Sequence, residues 1–184
     1  MRVISGSAKG RKLKSVPGTS TRPITDRVKV ALFDILAPDL VDCAFLDLFA
    51  GTGGVGIEAL SRGARRAVFV DIDSKSIQTV HENLKITRLE ERAAVIRSDS
   101  FRYLDRADHE SFDMIYIAPP QYKELWIQAL QAVDRAGSWL TPDGIAVVQI
   151  DPKETRDIPL NHLQEFDRRQ YGSTLLWFFE KPGE

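Results

Sequence analysis

Five short runs rich in apolar and β-branched residues, 43-CAFLDLF-49, 67-AVFVDI-72, 93-AAVI-96, 112-FDMIYI-117 and 145-IAVVQI-150, are spaced along the chain. Segments of helical period, over residues 54–62, 74–88 and 122–137, lie between them. Strands that are apolar on both faces need cover on both faces, and a connection long enough for a helix lets the next strand run parallel. The order therefore predicts an α/β domain of the doubly wound, Rossmann-like kind, a parallel sheet with helices on either side. The alternation fails near the end. The runs 163-LQEFDRRQ-170 and 174-TLLWFFE-180 are joined only by Tyr171, Gly172 and Ser173. That leaves no room for a helix and predicts an antiparallel hairpin at the sheet edge.

Upstream, 19-TSTRPITDRVKVALFDILAP-38 places Val28, Ala31, Leu32, Ile35 and Leu36 at helical spacing, with Thr25 or Asp26 able to cap the start and Pro38 marking the end. Before it, residues 2–16 alternate around Gly6 and Gly10 and predict a small hairpin or irregular arm. A length of 184 residues with 43% apolar positions suits a single domain. We divide it into a basic arm over 1–18 and a helix plus α/β core over 19–184. Residues 1–29 carry Arg2, Lys9, Arg11, Lys12, Lys14, Arg22, Arg27 and Lys29 against Asp26 alone, whereas the whole chain has a formal charge of −1. A basic end on an acidic body predicts a polyanionic partner met at that end, and the small residues of 5-SGSAKGRKLKS-15 would let the backbone lie close to phosphates. Lys9, Arg11, Lys12, Lys14 and Arg27 are the candidate contacts. The single cysteine, Cys43, lies in an apolar run, which suits a reducing compartment such as the cytoplasm. The N-terminus lacks the apolar core of a signal peptide, and no window approaches the roughly 20 apolar residues of a membrane span. A soluble monomer with no membrane partner is expected.

The strongest local signal is 45-FLDLFAGTGGVGIEALSRG-63, a strand that ends in Gly51 and a helix opened by Gly53, Gly54 and Gly56. Such a turn brings backbone close to a ligand at a helix N-terminus. The spacing Gly51-x-Gly53-x-x-Gly56, with Asp71 ending the next strand, also satisfies the dinucleotide fingerprint and admits an NAD-dependent oxidoreductase. Asp47 opposes that reading. A carboxylate four residues before Gly51 would repel a pyrophosphate but attract the ammonium and sulfonium of S-adenosylmethionine, whose ribose diol suits Asp71. Asp99, after the third strand, could accept from the adenine amino group. Three carboxylates on the carboxyl edge of successive strands favour a nucleoside cofactor.

The run Asp47-x-Phe49-x-Gly51-x-Gly53, the acidic Asp71 and the Pro-Pro motif after the fourth strand are similar to class I S-adenosylmethionine-dependent methyltransferases. More narrowly, 2-RVISGSAKGRKL-13, 21-TRPITDRVKVALFDILAP-38, 47-DLFAGTGGVGIEALSRGA-64 and the Pro-Pro segment resemble the RsmD family, which methylates the exocyclic N2 of a guanine in small-subunit ribosomal RNA. The resemblance implies a seven-stranded sheet with a reversed last strand. It places Asp47, Phe49, Gly51, Gly53 and Gly56 around the methionine end of the cofactor and Asp71 and Ile72 at the ribose. Asp99, with Ser98 and Ser100, would hold the adenine, and the segment around Arg22 and Thr25 would close over the cofactor. The implied partner is small-subunit ribosomal RNA or the assembling small subunit.

The family's catalytic segment is Asp or Asn, then Pro-Pro, then an aromatic. This chain has Ala118-Pro119-Pro120-Gln121-Tyr122. Ala118 lacks a side-chain acceptor, and Gln121 stands where the ring would be. We expect the carbonyls of Ala118 and Pro119 and the Gln121 amide oxygen to accept from the substrate amine, with Tyr122 stacking the base. Two rivals remain: a non-catalytic RNA-binding or assembly factor, and an N-methyltransferase acting on DNA amino groups. His81, His109 and His162 share no metal-like spacing and are expected on the surface; no metal is expected. Trp126, Trp139 and Trp177 are expected in the packing, with Trp126 able to reach the pocket rim.

Overall fold

The computed structural model describes residues 1–19 and 23–183. Helix α1 (Asp26–Leu40) precedes β1 (Ala44–Asp47), α2 (Gly54–Ser61), β2 (Arg66–Asp71), α3 (Ser74–Thr87) and β3 (Ala93–Arg97). Then come α4 (Ser100–Leu104), β4 (Phe112–Ile117), α5 (Leu125–Ala136), β5 (Leu140–Ile150), β6 (Gln164–Tyr171) and β7 (Thr174–Glu180). The seven strands form one sheet in the order β3-β2-β1-β4-β5-β7-β6. The first five are mutually parallel, and β7 runs antiparallel to both β5 and β6. One strand is therefore reversed, and the terminal hairpin lies at the sheet edge with β6 outermost. The order changes direction at β1, so the loops after β1 and β4 open side by side at the carboxyl edge.

Strand side chains alternate between two buried cores. Phe45, Phe69, Met114, Tyr116, Val147 and Phe178 pack beneath α1, α2 and α3. Leu46, Val68, Ile115, Val148 and Trp177 pack beneath α4 and α5. Cys43 is buried in the first core, and burial pushes its thiol up to about 12. Trp126 is fully buried against Trp177, with centroids 5.4 Å apart, so it does not reach a pocket rim. His109 stacks on Trp139 at 3.7 Å, and His162 Nδ1 lies 2.8 Å from the Asp134 carbonyl. Among the described residues, no helix is long and apolar enough to cross a membrane.

Several elements depart from expectation, among them β5, which starts at Leu140 and not at Ile145. Helix α1 runs past Pro38 to Leu40, because Leu36 and Leu40 are both buried and draw the last turn inward despite the missing N–H. Helix α5 begins only at Leu125, since Tyr122 and Glu124 adopt left-handed φ of 62° and 53°. The five-residue α4, started by Asp99, is too short to produce a sequence period.

The N-terminal segment is folded onto the body. It closes through an antiparallel bridge between Arg2 and Lys12, and Val3, Ala8 and Leu13 join the first core. The backbone N–H groups of Ile4 and Ser5 donate to the two carboxylate oxygens of Glu58, both at 2.9 Å. Glu58 also meets Lys29 Nζ at 3.3 Å and Arg62 Nε at 2.9 Å, and Lys29 Nζ donates to the Arg2 carbonyl. Lys29 and Glu58 are both fully buried, and burial lowers the Lys29 ammonium below its ordinary value while Glu58 opposes it. A buried pair of this kind costs about 3–5 kcal/mol to break from one side, so it clamps the segment in place. Gly6 is explained here by packing instead of by phosphate approach: a Cβ on it would lie 1.8 Å from the Ser61 carbonyl oxygen.

Candidate active site

The loops at the carboxyl ends of β1, β2 and β3 are cross-braced. Gly51 N–H donates to Asp71 Oδ2 and Asp73 N–H to Asp71 Oδ1, both at 2.9 Å. Ser98 N–H donates to the Asp71 carbonyl, and Ser100 Oγ donates to the Leu48 carbonyl at 2.6 Å. Asn83 of α3 donates to the Thr52 and Lys14 carbonyls, which ties the glycine turn to the N-terminal segment. Gly51 and Gly53 have φ of 56° and 77°, as the turn requires. Gly56 is held by contact: an added Cβ would meet Phe69 at 2.4 Å, so helix and strand could not close together.

Asp47 lies beneath this turn, almost wholly buried. Its Oδ2 accepts from Gly56 N–H at 3.1 Å, and its Oδ1 is buried with no partner among the described residues. Burial, opposed by the Gly56 bond and reinforced by the charge of Asp71, pushes its carboxyl up to about 8. An orphaned acceptor that resists ionisation is a receptor for a cation. The ammonium and sulfonium of S-adenosylmethionine meet that requirement, while the pyrophosphate of a dinucleotide would worsen it. Farther along the edge, Ile72 is 63% exposed beside Asp71, an apolar platform for a nucleoside. The residues present fit the cofactor.

Other expected contacts are placed less simply. Asp99 Oδ1 accepts from the N–H groups of Phe101 and Arg102 and so caps α4. Phe49 packs edge-on against Phe101 at 6.2 Å, a contact two residues beyond Asp99 that sequence reasoning missed. Thr25 Oγ1 accepts from Val28 N–H as the cap of α1, and no bond joins it to the glycine turn among the described residues. Arg22 lies outside the described residues. In the N-terminal segment, Lys14 pairs with Glu82 at 2.8 Å and Arg11 donates to the Ile86 carbonyl, while Lys9 and Lys12 are exposed without an ion pair among the described residues. The Arg27 guanidinium lies 5.7 Å from the centre of the Tyr171 ring.

The loop after β4 is built differently. Ala118 is half-buried, Pro119 is buried, and Pro120 and Gln121 are exposed. No hydrogen bond reaches the Ala118 or Pro119 carbonyl among the described residues, which leaves both as open acceptors. Tyr122 N–H donates to Glu154 Oε1 at 2.8 Å, and its hydroxyl donates to Asp151 Oδ2 at 2.7 Å. Asp151 and Glu154 form a capping box on the 3₁₀ turn Pro152–Glu154 that follows β5. The amide of Lys153 and the Tyr122 hydroxyl hold the Asp151 carboxyl below its ordinary value. These two acids were missed, although Asp-x-x-Glu after an apolar run is a capping signature. Beneath the loop, the Tyr116 hydroxyl donates to Gln149 Oε1 across β4 and β5.

The family described as Conserved hypothetical protein 95 matches residues 1–180. YlbH of Bacillus subtilis, provisionally named an rRNA methyltransferase, is 44% identical over 185 residues and covers 100% of both chains. Ribosomal RNA small subunit methyltransferase D of Escherichia coli is 34% identical, over 81% of this chain and 74% of its own. The chain belongs to this family. Membership makes it a methyltransferase of the RsmD type, and the solved structures agree. The Escherichia coli protein YhhF, provisionally named a methyltransferase, superposes with a TM-score of 0.86 at 29% identity, covering 100% of this chain and 99% of its own. The fold is the class I methyltransferase fold, with its reversed strand formed by β7.

Proposed function

We propose that this RsmD-type enzyme methylates the exocyclic N2 of a guanine in small-subunit ribosomal RNA, free or in the assembling subunit, as a cytoplasmic monomer. The methyl donor is S-adenosylmethionine, which supplies an electrophilic methyl on a sulfonium. Asp47 offers its orphaned Oδ1 to the cationic end of the donor, Asp71 its carboxylate to the ribose, and Ile72 and the Asp99 loop their surfaces to the adenine.

The observation that carries the reading is the pair of open carbonyls on Ala118 and Pro119, one strand over from Asp47 through the pairing of Asp47 with Tyr116. An exocyclic amine is a poor nucleophile because its lone pair is delocalised into the ring. Acceptors for its two N–H groups favour localisation and fix its direction of attack. The prolines hold that edge rigid, and the exposed Gln121 amide supplies the acceptor that Ala118 lacks. Tyr122 stacks the flipped base, its hydroxyl tethered to Asp151 so that the ring face stays open.

Labelled donor incubated with naked small-subunit RNA, assembled small subunits or duplex DNA, followed by nucleoside analysis, tests the assignment. Label in N2-methylguanosine is expected. Calorimetric donor binding with no transfer would replace it with the assembly-factor reading, for which the Ala118 side chain is the argument. Label in DNA would move the substrate class.

A further inference from the structure

The loop after β5 carries a cluster that the methyl-transfer reading does not use. Lys123, Lys153 and Arg156 line an open cleft of about 380 Å³ together with Tyr122, Glu124 and Glu154. None of the three cations belongs to an ion pair among the described residues. Two acids share the cleft and are outnumbered by the cations: Glu124 is exposed, and Glu154 is already committed. Glu154 is buried, one of its oxygens accepts from Tyr122 N–H and the other from Asp151 N–H. Arg156 is oriented by donating through one guanidinium nitrogen to the carbonyls of Lys153 and Thr155, and its other guanidinium nitrogens have no partner among the described residues. One wall is the Tyr122 ring, 65% exposed.

Position gives the cleft its meaning. β4 lies between β1 and β5, so the glycine turn is on one side of the Ala118–Tyr122 edge and this cleft on the other. We infer that Lys123, Lys153 and Arg156 grip a phosphate of the RNA strand next to the target guanosine, while Tyr122 stacks its base. This rests on the RNA-methylation reading and adds a second anchor to it, apart from the N-terminal basic segment. An aromatic face bordered by unpaired cations is the arrangement that holds an unstacked nucleotide: the ring takes the base, and the cations replace counterions at the adjoining phosphate. A guanidinium with fixed orientation suits bidentate phosphate binding, and the lysines act as point charges.

The test compares wild type with Lys153→Ala/Arg156→Ala and with Lys153→Arg/Arg156→Lys. Binding to naked small-subunit ribosomal RNA is measured across a salt series, and donor binding is measured by calorimetry to report an intact fold. The alanine pair is expected to lose roughly tenfold in RNA affinity and to flatten the dependence of log Kd on log salt by about 1, while the charge-conserving pair keeps the wild-type slope and loses only the part of the affinity that the bidentate contact supplies. A Lys9→Ala/Lys12→Ala pair should lower the slope independently. Affinity and slope unchanged in the alanine pair, or wild-type protein that does not bind RNA, overturn the inference. The two readings separate cleanly: reduced RNA binding with no methylated nucleoside from wild type keeps the cleft and removes the methylation, whereas methylation with an unaltered slope does the reverse.

Discussion

The two halves of the carboxyl edge are held by opposite means. On the donor side, the loops after β1, β2 and β3 bond to one another through backbone and short side chains, with Asp71 bracing the glycine turn. On the substrate side, the loop after β4 has two non-glycine residues at left-handed φ, and its named tethers are the two acids after β5. The first half braces itself through its own residues, with Asp47 Oδ1 the exception. The second is held from outside and keeps open acceptors, as the proposed binding of a base requires.

The largest expected effect lies at Asp47. Asp47→Asn keeps an acceptor for Gly56 N–H but removes the charge, and should weaken donor binding by roughly 100-fold, or about 2–3 kcal/mol. The wild-type carboxyl is raised from 3.8 to about 8 in the fold, so the folded chain holds a proton that the unfolded chain releases above the unperturbed value. Its contribution to stability is complete below about pH 4 and is lost as pH rises towards 8. The advantage of Asp47→Asn in melting temperature should therefore grow over that window and level off above it. Donor binding to wild type below pH 8 should release a proton, visible as a calorimetric enthalpy that varies with buffer ionisation. A pH-independent difference in melting temperature would break the account of the donor half.

Next comes Gln121. Gln121→Ala should slow single-turnover methyl transfer by roughly 30-fold or more, about 2–4 kcal/mol, with donor affinity retained, while Ala118→Gly changes it little. Equal and small effects would remove Gln121 as the substitute acceptor. Gly56→Ala probes the rigidity of the donor half, because the new Cβ would lie 2.4 Å from the Phe69 ring. Chemical denaturation should show a loss of about 1–3 kcal/mol. The smallest effect is expected at Tyr122→Phe, which keeps the ring and loses the tether to Asp151: roughly threefold in KM for RNA, with donor affinity constant. A change in donor affinity instead would mean that the halves are not independent.

The same division governs what could be read before the structure. The glycine turn, Asp47 and Asp71 were legible because strand, turn and helix are consecutive in the chain and their chemistry is local. The cap at Thr25 was legible for the same reason. The tethers of Tyr122 were not, since their partners lie 29 and 32 residues away and meet only because β5 pairs with β4. The N-terminal segment looked like a basic arm because charge dominates its composition. Its apolar residues are too few to display a period, and the clamp that seats them joins Ile4 and Ser5 to Glu58.

By itself, the sequence determined the α/β alternation, the edge hairpin, the glycine turn and the departure at Ala118, since periodicity, glycine placement and residue type are properties of neighbours. Only the tertiary structure decided that Asp47 is left with an oxygen unpaired among the described residues, that Lys29 and Glu58 clamp the N-terminal segment, and that Asp151 and Glu154 hold the loop after β4. Burial and polar satisfaction depend on which distant segments adjoin, and that is settled by packing.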